Sequence, residues 1–162
     1  MTQLHPIQTF AQKLYTTNCN EFRSGIGAPG AKYWQNRADY KRDATIDTIK
    51  NSLTCSETIH YLNNSPDSLE SLWLELDQNT YREDARSNFF SGFGSLKHTE
   101  GFQFESISVS YDRKTFVANY IIDDTRMQIR LPRKLSPKSK IDVSIKFIYL
   151  IPQFGGRTVY FI

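Results

Sequence analysis

Three histidines, two cysteines and two adjacent pairs of carboxylates are the residues of this 162-residue sequence whose types most readily do chemistry. A hydrolytic zinc site needs neutral imidazoles and carboxylates at workable spacing, as in His-Glu-x-x-His on a helix. His5, His60 and His98 are each far from the next, so no such pair exists. His60 stands mid-run in TIHYL, facing away from Ile59 and Tyr61, and reads as an imidazole on the surface of a sheet. His98 precedes Thr99 and Glu100 in a polar loop without a second histidine. Cys19 and Cys55 have no base beside them, and there is no Gly-x-Ser-x-Gly elbow. One bridge between the cysteines is open to the chain, but two separate buried thiols are the preferred expectation. Glu83–Asp84 and Asp123–Asp124 are acidic pairs of the kind that turns favour. The stretches Gly25–Gly30 and Gly92–Ser95 carry no Gly-Lys-Ser/Thr and do not join a strand to a helix, so they read as turns rather than phosphate cradles. No catalytic, metal-binding or cofactor-binding residue is assigned, and the chain by itself is expected to be non-enzymatic and without a cofactor.

The most basic stretch is RLPRKLSPKSK, with Arg130, Arg133, Lys134, Lys138 and Lys140 around a proline-containing loop. Beside aromatic strands such a patch can bind single-stranded nucleic acid. With 20 basic and 17 acidic residues the net charge is only +3, so a solvated loop tip is preferred and no nucleic-acid partner is expected. No window approaches the ~20 apolar residues of a membrane helix. The start, MTQLHPIQTFAQKL, has no apolar signal core, so the expectation is a cytoplasmic chain without a membrane partner. A composition 39% hydrophobic and 14% aromatic is that of a folded domain, not a disordered one.

The elements follow from periodicity. Ile7, Phe10, Ala11 and Leu14 recur at helical spacing, predicting a short helix over Pro6–Tyr15. Glycines and prolines then break Thr16–Tyr40 into a long loop, in which Tyr33 and Trp34 are expected to pack on a sheet. From there the period is two. Ala44, Ile46 and Thr48 share a face of a first strand, and Leu53, Cys55, Glu57, Ile59 and Tyr61 a face of the second. Asn63–Ser68 has turn residues, and a third strand is predicted over Leu69–Asp77. Gln78–Thr99 reads as a polar loop with a helical turn near Tyr81–Asn88. Four more strands are predicted at Phe102–Tyr111, Thr115–Ile122, Arg126–Pro132 and Lys140–Pro152, with hairpin turns at Asp112–Lys114 and Asp123–Thr125. The predicted class is all-β, a saddle or sandwich of seven mostly antiparallel strands with a short N-terminal helix and long N-terminal loop. The expected division is a helix and loop over 1–39, a β domain over 40–152 and a tail over 153–162.

Three blocks then carry a resemblance. SETIHYLNNSPDSLESLWLELDQN (Ser56–Asn79) is similar to the N-terminal β domain of the gluzincin aminopeptidases, the M-one family of zinc metallopeptidases. It looks closest to the bacterial branch typical of Bacteroidetes-like genomes. NEFRSGIGAPGAKYWQNRADY (Asn20–Tyr40) resembles that branch's lead-in, and DDTRMQIRLP (Asp123–Pro132) a later strand pair of the same domain. The match runs in order from about Phe10 to Pro152 and decays after Phe154, so TVYFI has no counterpart.

The resemblance implies a saddle-like β domain that precedes a thermolysin-like catalytic domain. In the family, zinc is held there by His-Glu-x-x-His and a downstream Glu, and a Gly-x-Met-Glu-Asn segment binds the substrate's amino group. None of these motifs is in this sequence. The expectation is a chain truncated before the catalytic domain, a non-catalytic scaffold that docks on that domain of the same polypeptide and walls its cleft. Zinc would belong to the missing part, and relatives are commonly exported. A domain built to dock exposes apolar surface and can self-associate. Phe89, Phe90, Phe93, Phe102 and the terminal VYFI either form that patch or cap the domain's own core. The alternative is a free-standing β-sandwich binding module for a protein or glycan, with Trp34, Trp73 and Tyr81 on its ligand face.

Overall fold

A computed structural model describes residues 21–24, 26, 28–89 and 98–152, with only the backbone of Phe89. The chain divides into two units, Met1–Gln35 and Asn36–Ile162. In the first, Arg23 bridges Pro29, and the Gly30 N–H donates to the Phe22 carbonyl at 2.8 Å. A Cβ on Gly30 would meet the Glu21 carbonyl oxygen at 2.5 Å, so this turn closes only around a glycine. The predicted helix over Pro6–Tyr15 and the tail over 153–162 lie outside the described residues.

The second unit is all-β. Its strands are β1 (Arg37–Asp47), β2 (Ser52–Leu62), β3 (Leu69–Glu75), β4 (Gln103–Tyr111), β5 (Lys114–Val117), β6 (Asn119–Asp123), β7 (Arg126–Leu135) and β8 (Lys140–Leu150). One sheet has the order β1-β2-β8-β4-β5 and the other β3-β7-β6, with every pairing antiparallel. The alternation in β2 works as its sequence predicts. Leu53, Cys55, Glu57 and Ile59 are buried, while Thr54, Ser56 and His60 are exposed. Ile141, Val143, Ile145 and Tyr149 do the same in β8. Side chains from both sheets, among them Val109, Met127, Ile129, Leu135, Ile141 and Val143, share one core cluster. Each such side chain contributes roughly 1.5–3 kcal/mol on burial.

Four expectations are corrected. The run Thr115–Ile122 is not one strand. It breaks at buried Ala118, whose N–H donates to the Ile107 carbonyl at 2.9 Å, so β5 stays in one sheet and β6 enters the other. Eight strands result among the described residues, not seven. The turn residues Asn63–Ser68 do not pair the second and third strands either, because β2 already has β1 and β8 on its two sides and β3 joins the second sheet. Asn63–Ser68 is therefore a crossing between sheets. Thirdly, β1 begins at Arg37 and ends at Asp47, whose carboxylate accepts from the Ile49 and Lys50 N–H groups at 2.9 Å and turns the chain before Thr48 can extend the strand. Fourthly, the basic stretch is largely strand. β7 runs on through Pro132, Arg133 and Lys134 to Leu135. Pro132 is tolerated because β6 ends opposite Arg130 and the β3 register shifts between Leu69 and Ser71, leaving no ladder bond for its missing N–H.

The hairpin turns form as predicted. Asp112 and Arg113 link β4 to β5 with φ of 46° and 67°, the doubly left-handed geometry that matches strand twist. Asp124, with φ 55°, begins the turn from β6 to β7. The 78–99 segment is described over 78–89 and 98–99, and two 3-10 turns, Asp77–Tyr81 and Arg86–Phe89, lie in it or overlap its start.

Candidate functional site

A cleft of about 370 Å³ opens between the two sheets, with Tyr40, Arg42, Cys55 and Glu57 on one side and Trp73, Asp77 and Gln78 on the other. Aromatic rings floor it. Phe102 lies edge-on to Phe147 at 5.1 Å and to Tyr149 at 5.3 Å, and stacks on Phe104 at 5.8 Å.

Strand register builds the first wall. Arg42 of β1 stands directly opposite Glu57 of β2, and its Nε donates to the Glu57 carboxylate. Glu57 is 7% exposed, so this guanidinium is what makes a buried carboxylate tolerable on an otherwise apolar face. Arg42 also lies over the Tyr40 ring at 4.9 Å. Burial, reinforced by Glu57 and opposed by Arg42, raises the Cys55 thiol above its ordinary pKa. A thiol so held is a packing group rather than a nucleophile.

The second wall is the 3-10 turn after β3, held at three points. The Leu76 N–H donates to the Thr125 carbonyl at 2.6 Å. Buried Asn79 donates through Nδ2 to the Asp124 carbonyl at 2.9 Å and accepts from the Phe102 N–H at 2.9 Å through Oδ1. Gly101, at φ 66°, makes that second bond possible, since a Cβ there would meet Asn79 Oδ1 at 2.4 Å. Thus fixed, the turn puts Gln78 into the cleft wall at 6% exposure, with Oε1 buried and unpartnered among the described residues. An unmade bond of this kind costs about 1–3 kcal/mol. Next to it, burial and then the Glu75 charge raise the Asp77 carboxyl above the usual aspartate range.

The residues singled out in the sequence fall mostly elsewhere. His60 is exposed on β2 and its Nδ1 meets Asp142 Oδ1 of β8 at 2.7 Å. His98 is exposed, and His5 and Cys19 lie outside the described residues. Asp123 pairs with Arg86 at 2.6 Å, Asp124 accepts from the Arg86 N–H, and Asp84 pairs with Arg82. In the basic stretch, Arg133 bonds Asp112 and lies 4.7 Å over the Tyr111 ring, and Lys134 meets Glu70 at 2.6 Å. Arg130, Lys138 and Lys140 are exposed. Of the aromatic candidates, Trp73 is exposed at the cleft, Tyr81 does not line it, and Trp34 belongs to the other unit. Phe102 is half-buried in the domain's own core, as one of its two expected roles. The Phe89 side chain, Phe90, Phe93 and VYFI are outside the described residues. Among the described residues no group of three His, Cys, Asp or Glu side chains can hold a metal ion, so a zinc ion has no fitting site there. No described helix is long and apolar enough to cross a membrane.

Sequence reasoning passed over Arg42, Asp77, Gln78 and Asn79. The one available signal was Glu57, a charged residue on an apolar alternating face.

No protein-family model matches the chain, and no curated protein matches it either. Among solved structures it is similar to a mutant M1 zinc metallopeptidase from Deinococcus radiodurans bound to a Tyr-Ser-Ala substrate. The TM-score is 0.45 at 12% identity, over 76% of this chain and 23% of that one. The chain thus spans under a quarter of that protein's length.

Proposed function

We propose that this chain is the non-catalytic N-terminal β domain of an aminopeptidase-like zinc metallopeptidase, a scaffold that docks on the catalytic domain and walls its cleft. Two of the three blocks that resemble the M-one family fall on β2, β3 and the β6–β7 hairpin, within an all-β fold of the kind the resemblance implies. The observation that carries the docking role is an unprotected apolar edge. β5 and β6 are edge strands of the two sheets, joined through Ala118, and they expose Phe116, Val117, Tyr120 and Ile121. Val117 is 89% exposed. The opposite edge, β1, carries Lys41, Arg42, Asp39 and Asp43, the charges that keep an edge solitary. On β5 and β6 the charged residues stand only at the far ends, Lys114 and Asp123, and an edge apolar between them suits a permanent neighbour.

Hydrolysis then belongs to the docked partner domain. The test is to assay the purified chain against aminoacyl-methylcoumarin amides while measuring its zinc content. Neither turnover nor stoichiometric zinc is expected; turnover that a chelator abolishes would overturn the proposal. A free-standing module for a protein or glycan is the second reading, favoured by the aromatic cleft with Trp73 at its side.

A further inference from the structure

The cleft holds two polar groups that the fold leaves unused. Gln78 is more than nine-tenths buried, at 6% exposure, and its Oε1 accepts from nothing among the described residues. Asp77, next in sequence, also lines the cleft, and its carboxyl is raised by burial and by the Glu75 charge. An unpartnered carbonyl oxygen and a carboxylate in one cleft wall call for a donor that is also positive. The other charges lining the cleft are already engaged: Arg42 with Glu57, and Glu75 with the Thr125 hydroxyl at 2.8 Å and with Arg126 at 3.9 Å. One guanidinium therefore faces three carboxylates. Aromatic residues, Tyr40, Trp73, Phe102, Phe104, Phe147 and Tyr149, supply much of the remaining surface, and aromatic faces also attract cations. The volume of about 370 Å³ fits a small group rather than a folded element.

We propose that this cleft binds an organic cation carrying N–H donors on an apolar stem. The cationic head donates to Gln78 Oε1 beside Asp77, and the stem lies against Phe102 and Phe147. A free arylalkyl amine and an arginine or lysine side chain of a protein segment share this chemistry. The inference is independent of the docking role, since neither Gln78 nor Asp77 lies on β5 or β6.

Two probes separate the sources. Phenethylammonium chloride and N-acetyl-arginine methylamide are each titrated into the full 162-residue chain while the backbone amide resonances of Gln78, Phe102 and Phe147 are followed. Saturable shifts are expected with a Kd on the order of 1 mM, the range for ligands of this size. Shifts from phenethylammonium alone assign the site to a small amine; shifts from blocked arginine assign it to a partner's side chain. Gln78→Leu keeps the side-chain bulk, removes the acceptor and should weaken binding about tenfold. Asp77→Asn should weaken it too, and neutral 2-phenylethanol should bind less tightly than phenethylammonium. Absence of saturable shifts with both probes, or unchanged affinity in both variants, overturns the proposal.

Discussion

Asn63 links the two sheets. It is fully buried, and its Nδ2 donates to the Asp67 carbonyl at 2.8 Å and to the Leu135 carbonyl at 3.0 Å. Its Oδ1 accepts from the Ser65 N–H and hydroxyl at 3.0 and 2.6 Å. Asn63→Ala leaves several buried groups unpaired and should cost about 2–4 kcal/mol in urea unfolding; a loss below about 0.5 kcal/mol, the range of a neutral surface change, would contradict the assigned role. Asp77 makes a pH prediction. Its folded pKa is raised, so between the ordinary aspartate range and the raised value the folded state holds more proton than the unfolded one. Its contribution to stability therefore falls as pH rises through that window. Asp77→Asn should remove this loss, so the variant gains stability relative to wild type on going from pH 3 to pH 7; an equal difference at both pH values would refute it. None of this was visible in sequence. An Asn-Asn-Ser-Pro-Asp-Ser run reads as any polar turn, and only the tertiary placement of Leu135 and Ser139 makes Asn63 a buried hub.

At the scale of elements, strands with one buried face were legible and corners were not. β2, β4 and β8 declare themselves because alternate residues are apolar and the faces differ. β1 lies at an edge with nearly every residue exposed, so its period carries little information and its start was misplaced. The β5–β6 corner is hidden because Phe116, Ala118, Tyr120 and Ile122 place an apolar residue at every second position while the chain changes sheets. Ala118 is small enough to sit buried at that change, and Ala118→Leu should overpack it, costing about 1–3 kcal/mol by thermal unfolding. The β4–β5 turn offers the opposite case. Arg113 holds a φ of 67° that a glycine adopts freely, so Arg113→Gly should stabilise the chain by about 0.5–1 kcal/mol, and a destabilisation would count against the turn geometry.

For the whole molecule, the two sheets meet over one core, yet their edges are treated differently. β1 is charged along its length, whereas β5 and β6 present Phe116, Val117, Tyr120 and Ile121 to solvent. The family resemblance implies exposed apolar surface, with Phe89, Phe90, Phe93, Phe102 and the terminal VYFI either forming it or capping the domain's own core. Of these, Phe102 packs inward and the others lie outside the described residues; among the described residues the candidate docking edge is formed by aliphatic and aromatic residues of β5 and β6. Sedimentation equilibrium of the wild-type chain beside the Val117→Lys/Ile121→Lys double variant tests the proposed docking role most directly. Association that grows with concentration in the wild type and vanishes in the variant is the predicted result. A wild type that stays monomeric across the micromolar range, or a variant that associates equally well, would contradict it.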